Sequence, residues 1–155
     1  MQLFLDCDGV LADFDSSAFK VFGLPPRKAE AQLGDNRFWV DLQRHPGFYR
    51  NLPLMPDARK LYMAVKHLKP IILTGCPRGG WAEKDKLHWA KVNFPGVQMI
   101  TCQSRNKRDH MTGPGDILVD DYLKYKHMWL EAGGRFVHHV SAEASIKHLK
   151  TIGII

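Results

Sequence analysis

A chain of 155 residues with 45% hydrophobic and 25% charged residues has the size and balance of one folded domain, with little room for a second core. No apolar run approaches the roughly 20 residues that cross a bilayer. The three cysteines, Cys7, Cys76 and Cys102, are odd in number and lack CxxC spacing, which argues against a disulfide framework or a structural zinc. The net charge of +6 favours anionic partners, and a simple phosphate ester and a nucleic acid both fit.

In chain order, residues 2–6 read as a short buried strand. No basic leader or small-residue cleavage site precedes it, so the expected compartment is cytoplasmic. Phe14, Ala18, Phe19 and Phe22 recur at helical spacing and predict a helix over 13–23. Pro25-Pro26 punctuates; helices are expected over 27–33 and 37–44, and Pro46-Gly47 with Pro53 and Pro56 closes the region. A helix over 57–68 places Leu61, Ala64, Val65 and Leu68 on one face. An alternation follows: strand 71–74, helix 81–94, strand 97–102, basic loop 104–110, strand 117–119, helix 122–132, strand 135–140 and helix 142–149. It predicts an α/β, Rossmann-like fold, a parallel sheet with right-handed crossovers and helices on both faces.

Residues 13–52 stand outside the alternation, as a helical insert after the first strand of a single domain, 1–155. The insert holds seven of the chain's sixteen aromatic residues, Phe14, Phe19, Phe22, Phe38, Trp39, Phe48 and Tyr49. That enrichment suits a small cap over the sheet's ligand-binding edge, and each ring suits the insert's own core equally well.

Ligands of open parallel sheets sit beyond the carboxyl ends of the strands. Four features are predicted to meet there: Asp6 and Asp8 after the first strand, Thr74-Gly75 after the second, Lys107 after the third, and Asp120-Asp121 after the fourth. Four carboxylates on one edge repel unless a cation sits among them. All-oxygen ligation favours a hard divalent ion, Mg²⁺.

In Asp6-Cys7-Asp8-Gly9-Val10, Thr74-Gly75, Lys107 and Asp120-Asp121 the chain resembles the haloacid dehalogenase (HAD) superfamily of aspartyl-phosphate phosphotransferases. The stretch from Asp8 to Phe14, Phe38-Trp39-Val40 and the Lys86-x-x-Trp89 helix are similar to the 5′(3′)-deoxyribonucleotidases within it. The chain departs from the pattern in having Gly75 where the family usually has serine, and in a longer Lys107 loop. The resemblance implies Mg²⁺-dependent hydrolysis of nucleoside monophosphates. It makes Asp6 the nucleophile and a metal ligand, and Asp8 the acid/base, with its backbone carbonyl on the metal. It puts Thr74 and Lys107 on the phosphoryl oxygens, with Gly75 beside them. Asp121 would ligate the metal directly and Asp120 through water, while Phe14, Phe38, Trp39 and Val40 would line the nucleoside pocket.

Arg105 and Arg108 flank Lys107 and compete with it as the phosphate ligand. Lys86 and Arg78 read as solvated charges flanking the substrate's path. His138-His139 has no ligand-spaced partner and reads as core or surface. A 3′-phosphatase acting on nucleic-acid ends, encouraged by the net charge, and a silent phosphate-binding module are the competing functions. Intact Asp6, Asp8 and Lys107 argue against the module.

Overall fold

The computed structural model describes residues 1–155. Strands β1 (Leu3–Leu5), β2 (Ile71–Gly75), β3 (Met99–Cys102), β4 (Ile117–Asp120) and β5 (Arg135–His138) form one sheet in the order β3-β2-β1-β4-β5. Every pairing is parallel. Alternate side chains therefore go to opposite faces, and the strands sort their residues accordingly. Leu3, Leu5, Ile72, Ile117 and Val119 join Leu61 of α4 (Ala58–Val65), Trp89 of α5 (Glu83–Asn93) and Leu149 of α7 (Ala142–Thr151) in the main core. Phe4, Leu73 and Leu118 turn the other way, onto Trp129 of α6 (Lys126–Glu131). A 3₁₀ helix, Ser104–His110, packs on that second side against β2 and α6.

Helices α1 (Phe14–Phe22), α2 (Pro26–Leu33) and α3 (Asp35–Gln43) fill the interval between β1 and α4. Asp13 caps α1 by accepting from the Ser16 N–H at 3.1 Å. The helices close on one another through Ala18, Ala29, Phe38 and Leu42, all buried, and through the Phe22–Phe38 stack at 4.8 Å. The two ends of the insert meet at its base. The Asp13 N–H donates to the Pro53 carbonyl, the Met55 N–H to the Leu11 carbonyl, both at 2.8 Å, and Ala12 bridges Leu54.

Several expected elements are shorter than their apolar pattern. The helix expected over 122–132 begins only at Lys126, because the Asp120 carboxylate takes the Tyr122 N–H at 2.9 Å and holds the chain in a turn. The strand expected from 97 begins at Met99, since the Val97 N–H closes a turn onto the Phe94 carbonyl at 3.1 Å. β5 stops at His138, and Ser141 caps α7 through the Ala144 N–H at 3.1 Å. The basic stretch 104–110 is not a loop but the 3₁₀ helix, tied at its ends by Asn106 N–H to the Gln103 carbonyl and Met111 N–H to the Arg108 carbonyl. His138 is exposed; His139 is buried, its Nδ1 2.8 Å from Ser145 Oγ, and burial lowers its pKa. No helix is long and apolar enough to cross a membrane.

Candidate active site

The Asp6 N–H still belongs to the sheet, donating to the Val119 carbonyl at 2.9 Å. Beyond it the chain coils tightly: the N–H groups of Val10, Leu11 and Ala12 converge on the Cys7 carbonyl at 3.2, 2.8 and 2.9 Å. Gly9 has φ +81°, and a Cβ there would stand 2.2 Å from Asp121 Oδ2. Glycine in the Asp-Cys-Asp-Gly-Val stretch thus serves two ends at once. It permits the left-handed turn and lets the β4 loop bring Asp121 against the β1 loop.

On the α6 side of the edge lie Asp6 and Asp120, which continue the alternation of Phe4 and Leu118. Lys107 rises from the 3₁₀ helix between them, with Nζ 2.8 Å from Asp6 Oδ1 and 2.7 Å from Asp120 Oδ2. All three are buried. Burial works against the Lys107 ammonium, but Asp6 and Asp120 outweigh it and hold its pKa above the usual range. An ammonium has three protons. Lys107 commits two to these carboxylates and keeps one.

Carboxylate oxygens of Asp6, Asp120 and Asp121 all lie within 4.8 Å of one another. Burial first, and then Asp6, push the Asp120 carboxyl up to about 7. Burial, Asp6 and Asp120 push Asp121 to about 8. One lysine is too little positive charge to keep both Asp120 and Asp121 ionised near neutral pH. An all-oxygen, electron-rich cluster of this kind fits a hard divalent cation. The Asp8 side chain stands apart from it.

Asp8 belongs to the other side. Its Oδ2 accepts from Lys86 Nζ at 2.6 Å, while Oδ1 is buried without a partner. Lys86 also donates to Thr74 Oγ1 and to the Gly75 carbonyl, each at 2.8 Å. Thr74 is fully buried, and its only contact as a donor is a long one, 3.4 Å, to the Gly75 carbonyl. Burial raises the Asp8 pKa more than Lys86 lowers it, with Asp6 adding to the rise. The neighbouring carboxylate, Asp6, is the smaller contribution to the rise.

Lys86 corrects the sequence reading of a solvated helix charge: only 2% of it is exposed. The signal was its place on the helix. Ala82, Lys86, Trp89 and Ala90 form an i, i+4, i+7, i+8 stripe, and all four are buried. A lysine inside an apolar stripe needs an acceptor deep in the fold. Arg78, Arg105 and Arg108 are exposed, so Lys107 alone of the basic run enters the carboxylate cluster.

Gly75, where the sequence departs from the family pattern, points toward the 3₁₀ helix. A Cβ there would lie 2.0 Å from Ser104 Oγ and 3.2 Å from the Ser104 Cα. The missing side chain is the room through which the first turn of the 3₁₀ helix approaches β2 and delivers Lys107.

The aromatic residues divide. Phe14 and Trp39 are half-buried, their rings 6.2 Å apart, and Trp39 Nε1 donates to Asp35 Oδ1 at 3.0 Å. Phe38, expected in the pocket, is 1% exposed, stacked on Phe22 and edge-on to Trp39. It serves the insert's core, with no face open to a ligand. Val40 points to solvent. Tyr49 is buried under the Lys86 ammonium, 4.7 Å from ring centroid to Nζ, and packs on Phe14 at 6.1 Å and on half-buried Trp81 at 5.3 Å. Trp81, where the sequence predicts the helix to begin, stands two residues before α5 in a glycine-rich turn.

No protein-family model and no curated protein matches the chain. Solved structures do. L-2-haloacid dehalogenase from Xanthobacter autotrophicus is 16% identical with a TM-score of 0.57, over 99% of this chain and 84% of that one. A HAD-superfamily hydrolase from Ehrlichia chaffeensis is 10% identical with a TM-score of 0.57, over 97% and 96%. A HAD-family hydrolase from Deinococcus radiodurans, with bound phosphate and sodium, is 16% identical with a TM-score of 0.54, over 96% and 87%. The chain shares its fold with these hydrolases. In this fold the aspartate loop after β1 and the aspartate pair after β4 share the carboxyl edge of the sheet, where open α/β sheets bind their ligands.

Proposed function

We propose that the protein is a Mg²⁺-dependent phosphatase that converts (deoxy)nucleoside monophosphates to nucleoside and phosphate through an aspartyl-phosphate on Asp6. One observation carries the reading: a three-carboxylate cluster with a buried lysine lies beside a separate aspartate whose Oδ1 is buried and unpartnered. Asp6, Asp121, Asp120 through water, and the Asp8 carbonyl would hold the cation, which would neutralise phosphoryl charge.

The chain's own residues supply the rest. Lys107 fixes Asp6 Oδ1 and leaves Oδ2 free to attack phosphorus, with its third proton for a phosphoryl oxygen. The Thr74 hydroxyl proton is available to a second phosphoryl oxygen. As the P–O ester bond breaks, Asp8 gives a proton to the leaving alkoxide. In the second step Asp8 takes a proton from water, the water oxygen bonds to phosphorus, and the Asp6–phosphorus bond breaks, releasing phosphate. Half-buried Phe14 and Trp39, on the insert acting as a cap, offer ring faces to a base.

Dehalogenation, the chemistry in the name of the Xanthobacter relative, fits less well. A halide leaves without a proton, so a buried acid at Asp8 and a cation-demanding trio would have no task. The test is phosphate release from 5′- and 3′-, ribo- and deoxyribonucleoside monophosphates and from a 3′-phosphorylated oligonucleotide, with Mg²⁺ or with EDTA. Mg²⁺-dependent release from the monomers is expected. Preference for the oligonucleotide would move the protein to nucleic-acid end processing, and no release from any ester would overturn the reading.

A further inference from the structure

Lys86 is a second buried lysine at the same edge, and its geometry differs from that of Lys107 in a way that fixes its task. Its three ammonium protons are all taken: Asp8 Oδ2 at 2.6 Å, Thr74 Oγ1 at 2.8 Å and the Gly75 carbonyl at 2.8 Å. Nothing is left for a phosphoryl oxygen. Two of the three acceptors belong to the end of β2, a central strand. The Tyr49 ring covers the ammonium from the insert side, and Trp89, one turn along α5, is fixed by donating Nε1 to the Leu52 carbonyl at 2.7 Å. Lys86 is held by four parts of the fold: α5, β2, the insert and the aspartate loop.

Asp8 is the part that needs holding. It lies on a coiled loop, its side chain is 26% exposed, and no other side chain bonds its carboxylate. Released from Lys86, it is free to turn toward solvent. With Oδ2 pinned, Oδ1 stays in its buried, unpartnered position.

We infer that Lys86 is a positioning residue that holds the Asp8 carboxyl in place for proton transfer to the leaving oxygen, steadied by Tyr49 of the insert. The inference rests on the phosphatase reading above and adds a residue that acts through Asp8 without touching substrate. It makes the need for Lys86 depend on the leaving group. An alkoxide leaves with a proton from Asp8 as the P–O bond to Asp6 forms. A nitrophenolate leaves as the anion and needs no proton.

Single-turnover cleavage by wild type and Lys86→Met, with Mg²⁺, separates the cases. Nucleoside release from a nucleoside monophosphate should slow about 10²-fold or more, on the scale of lost general acid catalysis, with substrate Kd changed by less than about 3-fold. First-turnover p-nitrophenolate release from p-nitrophenyl phosphate should stay within about 3-fold of wild type, while the later phosphate release slows because Asp8 also activates water. Lys86→Arg should recover part of the loss. Equal slowing of both first turnovers, or a raised Kd with an unchanged rate, would overturn the inference. Should Lys86→Met lose its folded circular dichroism, Tyr49→Leu carries the test: a smaller loss confined to the nucleoside monophosphate supports it, and no loss or an equal one overturns it. Wild-type protein that cleaves neither ester would overturn the phosphatase reading itself, a result distinct from a wild-type enzyme indifferent to Lys86.

Discussion

The sheet edge and the helical insert are built from opposite materials. The edge is charged: every acid of the cluster is buried or half-buried, and two lysines bond it at 2.6 to 2.8 Å. The insert is aromatic, and its half-buried rings, Phe14 and Trp39, meet at 6.2 Å between centroids, with the Trp39–Asp35 bond as polar anchor. Charge in a dry site depends on position to a fraction of an ångström, whereas ring contacts tolerate shifts. Changes at Asp6, Lys107 or the cation ligands should therefore harm every phosphate ester alike, changes at Asp8 or Lys86 those esters whose leaving group needs a proton, and changes in the insert those that carry a base.

The largest expected effect is Asp6→Asn, which removes the attacking oxygen and should abolish turnover of nucleoside monophosphates and of phenyl phosphate together. Asp8→Asn should cost about 10²- to 10⁴-fold on the nucleotide. Near-wild-type rates from purified Asp6→Asn protein would break the assignment of the edge as the chemical centre. EDTA should have a comparable effect on activity, and it also has a readout in stability. The raised carboxyls of Asp120 and Asp121 favour the protonated form in the folded chain. Their stabilisation is complete below the ordinary carboxyl range, about pH 4, and is lost as pH rises through about 7 to 8. Mg²⁺ should therefore raise Tm more at about pH 8.5 than at about pH 5. A Tm that Mg²⁺ leaves unmoved at both would remove the cation from the site.

Gly75→Ala sharpens the comparison from the structural side. The added methyl meets Ser104 at the root of the 3₁₀ helix and should cost about 1–3 kcal/mol of stability while displacing Lys107. Rates should fall on both ester types. Trp39→Ala should act differently, weakening kcat/KM for the nucleotide about 5- to 150-fold, the scale of about 1–3 kcal/mol for one stacked base. Phenyl phosphate should be much less affected. Equal losses with a lowered Tm would return Trp39 to the insert's core beside Phe38. The smallest effect belongs to His139, whose backbone N–H donates to the Asp120 carbonyl at 2.9 Å but whose ring turns to Ser145. Burial lowers its pKa, so its neutral form stabilises the fold above the ordinary value of about 6.5, and that stability fades as pH falls below it. In Mg²⁺, His139→Gln should show a shallower fall of Tm between about pH 7 and about pH 5.5 than wild type.

The sheet was legible in the sequence because its strands are short apolar runs set between helices of clear period. Asp6, Asp8, Lys107, Asp120 and Asp121 were legible because strand ends in a parallel sheet must face one edge. Lys86 was not, since a charge is read as solvated unless its neighbours on the helix are weighed with it. Phe38 could not be told from Trp39 by pattern: adjacent rings on one helix differ only in which side the fold turns inward. The start of α6 escaped because a side-chain acceptor, Asp120, competes with helix formation at Tyr122, and propensity does not register such a competitor.

The junction at the base of the insert has a consequence for how the chain can change. Ala12 and Leu54 are already paired, and flanking N–H bonds at Asp13 and Met55 close the excursion at its root. The entropy of closing a loop grows slowly, by about 0.6 kcal/mol for each doubling of its length. A graft of different size or shape between residues 13 and 52 would leave the route from β1 to α4 intact, so on the phosphatase reading the insert can be exchanged as a module while the carboxylates stay where they are.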